Sequence, residues 1–149
     1  MTTLHKILQT HEHNKHATDT GTKMHLRLQH VCIDDEHCTG DADLIGKITS
    51  NPEIAKLFCR ASKTEVPIAG TINNRFISRR IDRLWIDDTN KTIHILDYKT
   101  DTNRDTYHSM YVSQIHEYAL LLKYIYPTYK IKGYILWTRD FLLENIPIK

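Results

Sequence analysis

The sequence predicts an α/β fold in which a central mixed sheet of four strands is flanked by helices. Three observations lead there. Apolar residues recur at helical spacing before residue 60 and again between Tyr107 and Tyr126. Four β-patterned runs bounded by turn residues lie between Glu65 and Trp137, three ahead of the long helix and one behind it. Finally, 149 residues that are 40% hydrophobic and 26% charged suit one domain and exclude collagen-like, low-complexity and disordered chains. The single domain is expected over residues 1–149, with 1–20 as a polar N-terminal extension.

The first helix is expected from Thr22, as N-cap, to Val31, with Met24, Leu28 and Val31 on one face. Asp34-Asp35-Glu36 and Gly40 read as a loop, followed by a short helix over Asp41–Thr49. The next helix has Ser50 or Asn51 as cap, Pro52 at its first position and Glu53 in its first turn, with Ile54, Leu57 and Phe58 on one side. Glu65–Ile72 reads as a strand, and Pro67, which has no N–H to donate, puts it at an edge or a bulge. Asn73-Asn74 is a turn, Arg75–Ile86 a long strand, Asp87–Thr92 a turn and Ile93–Lys99 the third strand. Tyr107–Tyr126 is a helix stopped by Pro127, and Ile131–Trp137 is the fourth strand.

Twenty Lys and Arg against eighteen Asp and Glu leave a net charge of +2, too small a surplus to mark a nucleic-acid surface by itself. No apolar run approaches the roughly 18–20 residues of a membrane span, and the first residues lack the apolar core of a signal peptide. A cytoplasmic protein with no membrane partner is expected. Cys32, Cys38 and Cys59, odd in number and without CxxC spacing, read as reduced thiols. His5, His11, His13 and His16 admit a metal-tract reading, but a solvated chain end is the commoner origin of such a segment.

Chemistry concentrates between Ile77 and Lys99. A hairpin of Ile77–Ile86 with Ile93–Lys99, its turn centred between Thr89 and Asn90, pairs Ile86 with Ile93, Leu84 with Ile95, Asp82 with Asp97 and Arg80 with Lys99 on one face. The other face pairs Trp85 with His94, Arg83 with Leu96 and Ile81 with Tyr98. Two carboxylates facing each other are destabilising without a cation, and Lys99 lies on their face. Such an oxygen-rich pair suits Mg²⁺ or Mn²⁺. An ion of this kind polarises a phosphate oxygen and lowers the pKa of a bound water, while a lysine stabilises developing phosphoryl charge. The competing reading is a solvated pair neutralised by Arg80 or Arg83. The apolar neighbours Ile81, Leu84, Trp85, Ile93, Ile95 and Leu96 favour central strands, where unpaired charge is costly.

Ile81-Asp82 followed by Leu96-Asp97-Tyr98-Lys99-Thr100-Asp101 resembles the D…(D/E)xK signature of the PD-(D/E)XK nuclease superfamily. More narrowly, it is similar to the C-terminal nuclease domain of AddA- and RecB-type helicase–nucleases. Gly21-Thr22-Lys23-Met24-His25 resembles that family's GTxxH segment, Glu65-Val66-Pro67 its E-x-P at the first core strand, and Gln114-Ile115-His116-Glu117-Tyr118 its QxxxY on the following helix. The resemblance runs from about Gly21 to Trp137. It implies a restriction-endonuclease-like αβββαβ core and a metal-dependent (exo)deoxyribonuclease that hydrolyses phosphodiester bonds in double-strand-break processing and recombinational repair. It implies that His25, Asp82, Asp97 and the backbone carbonyl of Tyr98 hold Mg²⁺ or Mn²⁺, and that Lys99 is the catalytic lysine. Gln114 and Tyr118 would border the site and touch the DNA strand. Arg79 departs from the pattern, since the family usually has glycine three residues before the first aspartate. Relatives with an iron–sulfur cluster use four cysteines, so no cluster is expected. The implied partners are single- or double-stranded DNA ends and a separate helicase or the rest of an AddAB- or RecBCD-like complex. A motor would need more chain, and no GxxxxGK[ST] occurs.

On the long helix, Tyr107, Tyr111, Gln114, Tyr118, Leu121 and Ile125 fall on one face. Leu121 and Ile125 read as core, Gln114 and Tyr118 as site residues, and Tyr107 and Tyr111 equally as base-stacking or buried rings. Arg75, Arg79, Arg80, Arg83 and Arg104 are candidate phosphate contacts. Glu65 reads either as a further metal or water-bridging group or as an ion pair with Lys63. Two other functions stand beside the nuclease: an inactive nuclease-fold module for DNA binding or helicase docking, and an unrelated metal enzyme sharing only the hairpin.

Overall fold

A computed structural model describes residues 21–149, so the N-terminal extension and its histidines lie outside the described residues. Helix α1 includes residues 21–29. It is followed by α2 (Ala42–Thr49) and α3 (Pro52–Ala55), which a 3₁₀ turn over Lys56–Phe58 continues. The strands are β1 (Lys63–Ile72), β2 (Arg75–Asp87), β3 (Thr92–Lys99), β4 (Lys130–Trp137) and β5 (Leu142–Ile146), with α4 (Arg104–Ile125) joining β3 to β4. They form one sheet in the order β1-β2-β3-β4-β5. Only β3 and β4 run parallel, as a helical crossover requires, so the sheet is mixed. It has five strands rather than the expected four. The extra strand, Leu-Leu-Glu-Asn-Ile, is short and lacks β-branched residues until its end, and its pairing with β4 over Gly133–Trp137 is what makes it a strand.

Short polar side chains start the helices. Asp41 accepts from the N–H groups of Asp43 and Leu44 at 2.9 and 3.2 Å, and Asn51 accepts from Glu53 N–H at 3.0 Å ahead of Pro52. Asn103 caps α4 through Asp105 N–H, so the helix begins at Arg104 and not at Tyr107. Gly21 is already helical, which places Thr22 inside α1 and not at its cap. Pro67 lies on edge strand β1, as its missing donor demands. Asn73 and Asn74 both take left-handed backbone (φ 49° and 64°), matching a two-residue hairpin turn to the strand twist.

The β2–β3 register is the expected one from Ile86↔Ile93 to Arg83↔Leu96, and there it ends. The expected pairs Asp82–Asp97, Ile81–Tyr98 and Arg80–Lys99 do not form in the ladder. On the other side of β2, Thr64 pairs with Arg83 and Val66 with Ile81, and the ladder skips Glu65 and Asp82 between them. Glu65 is left-handed (φ 53°). This interruption turns β2 over: Ile77 and Ile81 pack in the same apolar cluster as Leu84, which an unbroken strand would send to the opposite face. Ile81 and Tyr98 consequently lie on opposite faces, correcting their assignment to one.

The sheet carries helices on both faces. Leu28, Val31, Leu44, Ile48 and Phe58 from the N-terminal layer pack on Leu96, Tyr98, Tyr134 and Leu136. Tyr118, Ala119, Leu121 and Leu122 of α4 pack on Ile68, Ile81, Leu84, Ile93 and Ile95. Ile125, expected in the core, is 59% exposed: in the last turn of α4 it is Leu122 that packs on the sheet, while Tyr124 and Ile125 face outwards. Among the described residues no helix is long and apolar enough to cross a membrane.

Candidate metal centre

The polar side chains collect where β2 and β3 part. The Tyr98 N–H, released from the ladder, donates to Asp82 Oδ2 at 2.8 Å. The Tyr98 carbonyl lies 3.1 Å from His25 Nε2 on α1, and His25 Nδ1 lies 3.5 Å from Asp82 Oδ1. The His25 ring also stands edge-on to the Tyr98 ring, 5.3 Å between centroids. Helix α1 therefore delivers its histidine onto the gap between two strands. His25, Glu65 and Asp82 each offer a ligand atom, all within 4.8 Å of one another. The left-handed turn at Glu65 is what brings that third residue, opposite Asp82 across β1 and β2, into the group.

Asp97 is 2% exposed. Its Oδ2 lies 2.8 Å from Lys99 Nζ, an ion pair that compensates the buried charge. Lys99 Nζ also reaches Gln114 Oε1 at 3.5 Å and lies 4.3 Å from the Tyr111 ring centroid. Burial first, and the Asp97 carboxylate second, push Asp82 well above the ordinary carboxylate range, outweighing the Tyr98 N–H and Lys99. Two buried carboxylates thus share one lysine. The group that converges is His25, Glu65 and Asp82, with the Tyr98 carbonyl beside it, whereas Asp97, expected among the ligands, lies outside that group and is paired with Lys99. Imidazole nitrogen with carboxylate and carbonyl oxygens is a donor set compatible with Mg²⁺ or Mn²⁺.

The remaining candidates divide sharply. Gln114 borders the site through Lys99. Tyr118 is 1% exposed and its hydroxyl meets the Arg80 carbonyl at 3.4 Å, so it supports the site from beneath and does not reach a DNA strand. Arg83 is likewise no phosphate contact. It is buried, donating to the Tyr98 hydroxyl (2.9 Å), Ser62 Oγ (2.7 Å) and the carbonyls of Leu28 and Val31 (both 3.0 Å), with its guanidinium 4.2 Å from the centre of the Phe58 ring. Arg80 is exposed and pairs with Glu65 at 3.7 Å, so Glu65 pairs with Arg80 and not with Lys63, and neither Arg80 nor Arg83 neutralises Asp82. Arg75 and Arg79 flank Glu117 on α4, which draws the unexpected Arg79 side chain towards the helix. Arg104 pairs with Asp140. Cys32, Cys38 and Cys59 are free thiols.

Sequence reasoning missed the part of Asp101, which accepts a hydrogen bond from the Tyr111 hydroxyl. The DYKTD run and the ring four residues below Tyr107 were visible, but not that the loop folds back on the helix. Both residues line a cavity of about 420 Å³ that His25, Tyr98 and Lys99 also border. Neither a protein-family model nor a curated protein matches the chain.

Proposed function

We propose that the chain is a divalent-metal-dependent deoxyribonuclease of the PD-(D/E)XK type, cytoplasmic, acting on DNA ends with a helicase during break processing. The observation that carries this reading is the convergence of His25, Glu65 and Asp82 on one point, beside the Tyr98 carbonyl and the buried Asp97–Lys99 ion pair. The ordered motifs from Gly21 to Trp137 supply the link to DNA, and the charge chemistry of the site supplies the link to a metal. His25, Asp82, Asp97 and the Tyr98 carbonyl would hold Mg²⁺ or Mn²⁺, with Glu65 as a further acidic group in reach. When bound, such an ion supplies Lewis-acid polarisation of a phosphate oxygen and a water of lowered pKa.

The chain's own residues do the rest. Lys99 is held between Asp97, Gln114 and the face of Tyr111, which fixes where its amino group meets a phosphoryl group on which charge is building. Asp82 accepts from the Tyr98 N–H and His25 meets the Tyr98 carbonyl, so two side chains hold successive peptide groups on either side of one α-carbon. Exposed Arg80 is the arginine left near the centre to meet the DNA backbone.

The test is digestion of linear and circular DNA, single- and double-stranded, with Mg²⁺, Mn²⁺ or EDTA. Cleavage requires the metal. Lys99→Ala slows it about 10²–10³-fold while Mn²⁺ still binds, and Asp97→Ala loses both cleavage and tight Mn²⁺ binding. Undiminished cleavage by both variants overturns the mechanism, and metal binding without hydrolysis of any DNA replaces it with a binding module.

A further inference from the structure

We infer that the cavity beside the metal centre is a subsite for one unstacked nucleobase, with Tyr107 as the ring on which it stacks. This rests on the nuclease reading above and adds to it a residue that positions the substrate. Because the cavity shares His25, Tyr98 and Lys99 with the metal centre, a group seated in it is joined to the reacting phosphate by very little backbone. Its volume of about 420 Å³ is in the range of small-molecule sites.

The walls select a base. Tyr107 and Met110 are 49% and 57% exposed, an apolar surface that nothing in the described fold covers. Tyr111 stands behind Tyr107 with ring centroids 6.3 Å apart, and it is fixed by its bond to Asp101, by the Trp137 ring at 6.2 Å and by Lys99 above its face. A rigid ring backing an exposed one is a stacking platform, and stacking is tolerant of base identity. Asp101 in the wall repels phosphate, so the nucleotide's charged end is directed towards Lys99 and its flat end towards the tyrosines. In a duplex both faces of a base are already covered, so only an unstacked base reaches Tyr107.

The experiment uses oligonucleotides carrying a single 2-aminopurine, titrated with the wild-type protein in Ca²⁺ in place of Mg²⁺. Stacking quenches the fluorescence of a single strand, and Tyr107→Ala weakens binding on the order of tenfold and removes the quench, while Tyr107→Phe restores both. A fully paired duplex shows no quench. In Mg²⁺, an abasic residue scanned through the strand depresses cleavage at one neighbouring bond, and Tyr107→Ala flattens that pattern. If wild type cleaves nothing with any metal, the nuclease reading falls, whereas a Tyr107-dependent quench still establishes the base subsite. If wild type cleaves and both the quench and the abasic pattern ignore Tyr107, the base subsite is overturned and the nuclease stands.

Discussion

Glu65 holds a backbone conformation (φ 53°) that no other non-glycine residue shows within a strand of the described chain. Such strain costs about 1–3 kcal/mol and persists where a site needs it. Glu65→Gly removes strain and carboxylate together: the urea midpoint does not fall, while the Mn²⁺ dissociation constant measured by calorimetry rises about tenfold or more. A lower midpoint with unchanged Mn²⁺ affinity would make Glu65 structural. Arg83 is the opposite case. Its hydrogen-bond acceptors on Ser62, Leu28 and Val31 lie 21, 55 and 52 residues away, so the sequence displays its charge and conceals its partners. Arg83→Lys keeps the charge but cannot reach those acceptors in a fork, and it lowers unfolding free energy by roughly 3 kcal/mol in urea titration. A purely phosphate-binding arginine would lose DNA affinity with no change in stability. The turn sets the pairing only as far as Arg83 and Leu96, so the sequence brings Asp82, Asp97 and Lys99 to one region of the sheet but not into the ladder pairs expected of them.

Among the elements, the β2–β3 hairpin was readable from its turn, whereas the break in its neighbour ladder was not, since glutamate carries no local preference for left-handed backbone. Strand β5 escaped for a related reason, because only pairing with β4 makes those five residues extended. Helix α4 sits against β4 at Gly133, where an added Cβ would come within 2.6 Å of Ile115 Cγ2. Ile115 is fully buried and β-branched, so it has little room to yield. Gly133→Ala is therefore expected to cost about 1–3 kcal/mol, read as a lower urea midpoint. Across β2, β3 and β4 the rings of Trp85, His94 and Tyr134 stack at 4.5 and 5.9 Å, and His94 Nδ1 meets the Tyr134 hydroxyl at 3.1 Å. Burial, with Lys56 and Lys132 adding to it and Asp87 opposing, pushes His94 down to about 4. An unfolded histidine titrates near 6.5, so between these values the unfolded chain holds the extra proton. Stability from this group is complete above about pH 6.5 and declines as pH falls towards 4, by up to about 3 kcal/mol. His94→Phe keeps a ring in the stack and flattens this decline relative to wild type in urea titrations from pH 7 to 4.

For the molecule as a whole, the α/β class and the mixed sheet followed from the alternation of patterns along the chain, while the two-faced layering depended on contacts that no local window contains. Glu65, Asp82, Asp97 and Lys99 all belong to the β1–β3 meander, whereas His25 arrives on a helix from the N-terminal end of the described residues. A divalent ion held by both would tie α1 to the sheet. Saturating Mn²⁺ at about 100 times its dissociation constant should slow hydrogen exchange of α1 amides by up to about 100-fold, with a smaller effect on β4, and EDTA should reverse it. Equal protection everywhere would mean that α1 and the sheet open together. The same division makes the centre a composite of two layers. A partly unfolded meander already carries its acids and its lysine, but it lacks the histidine until α1 has docked, so the full set of side chains exists only where the layered fold is complete.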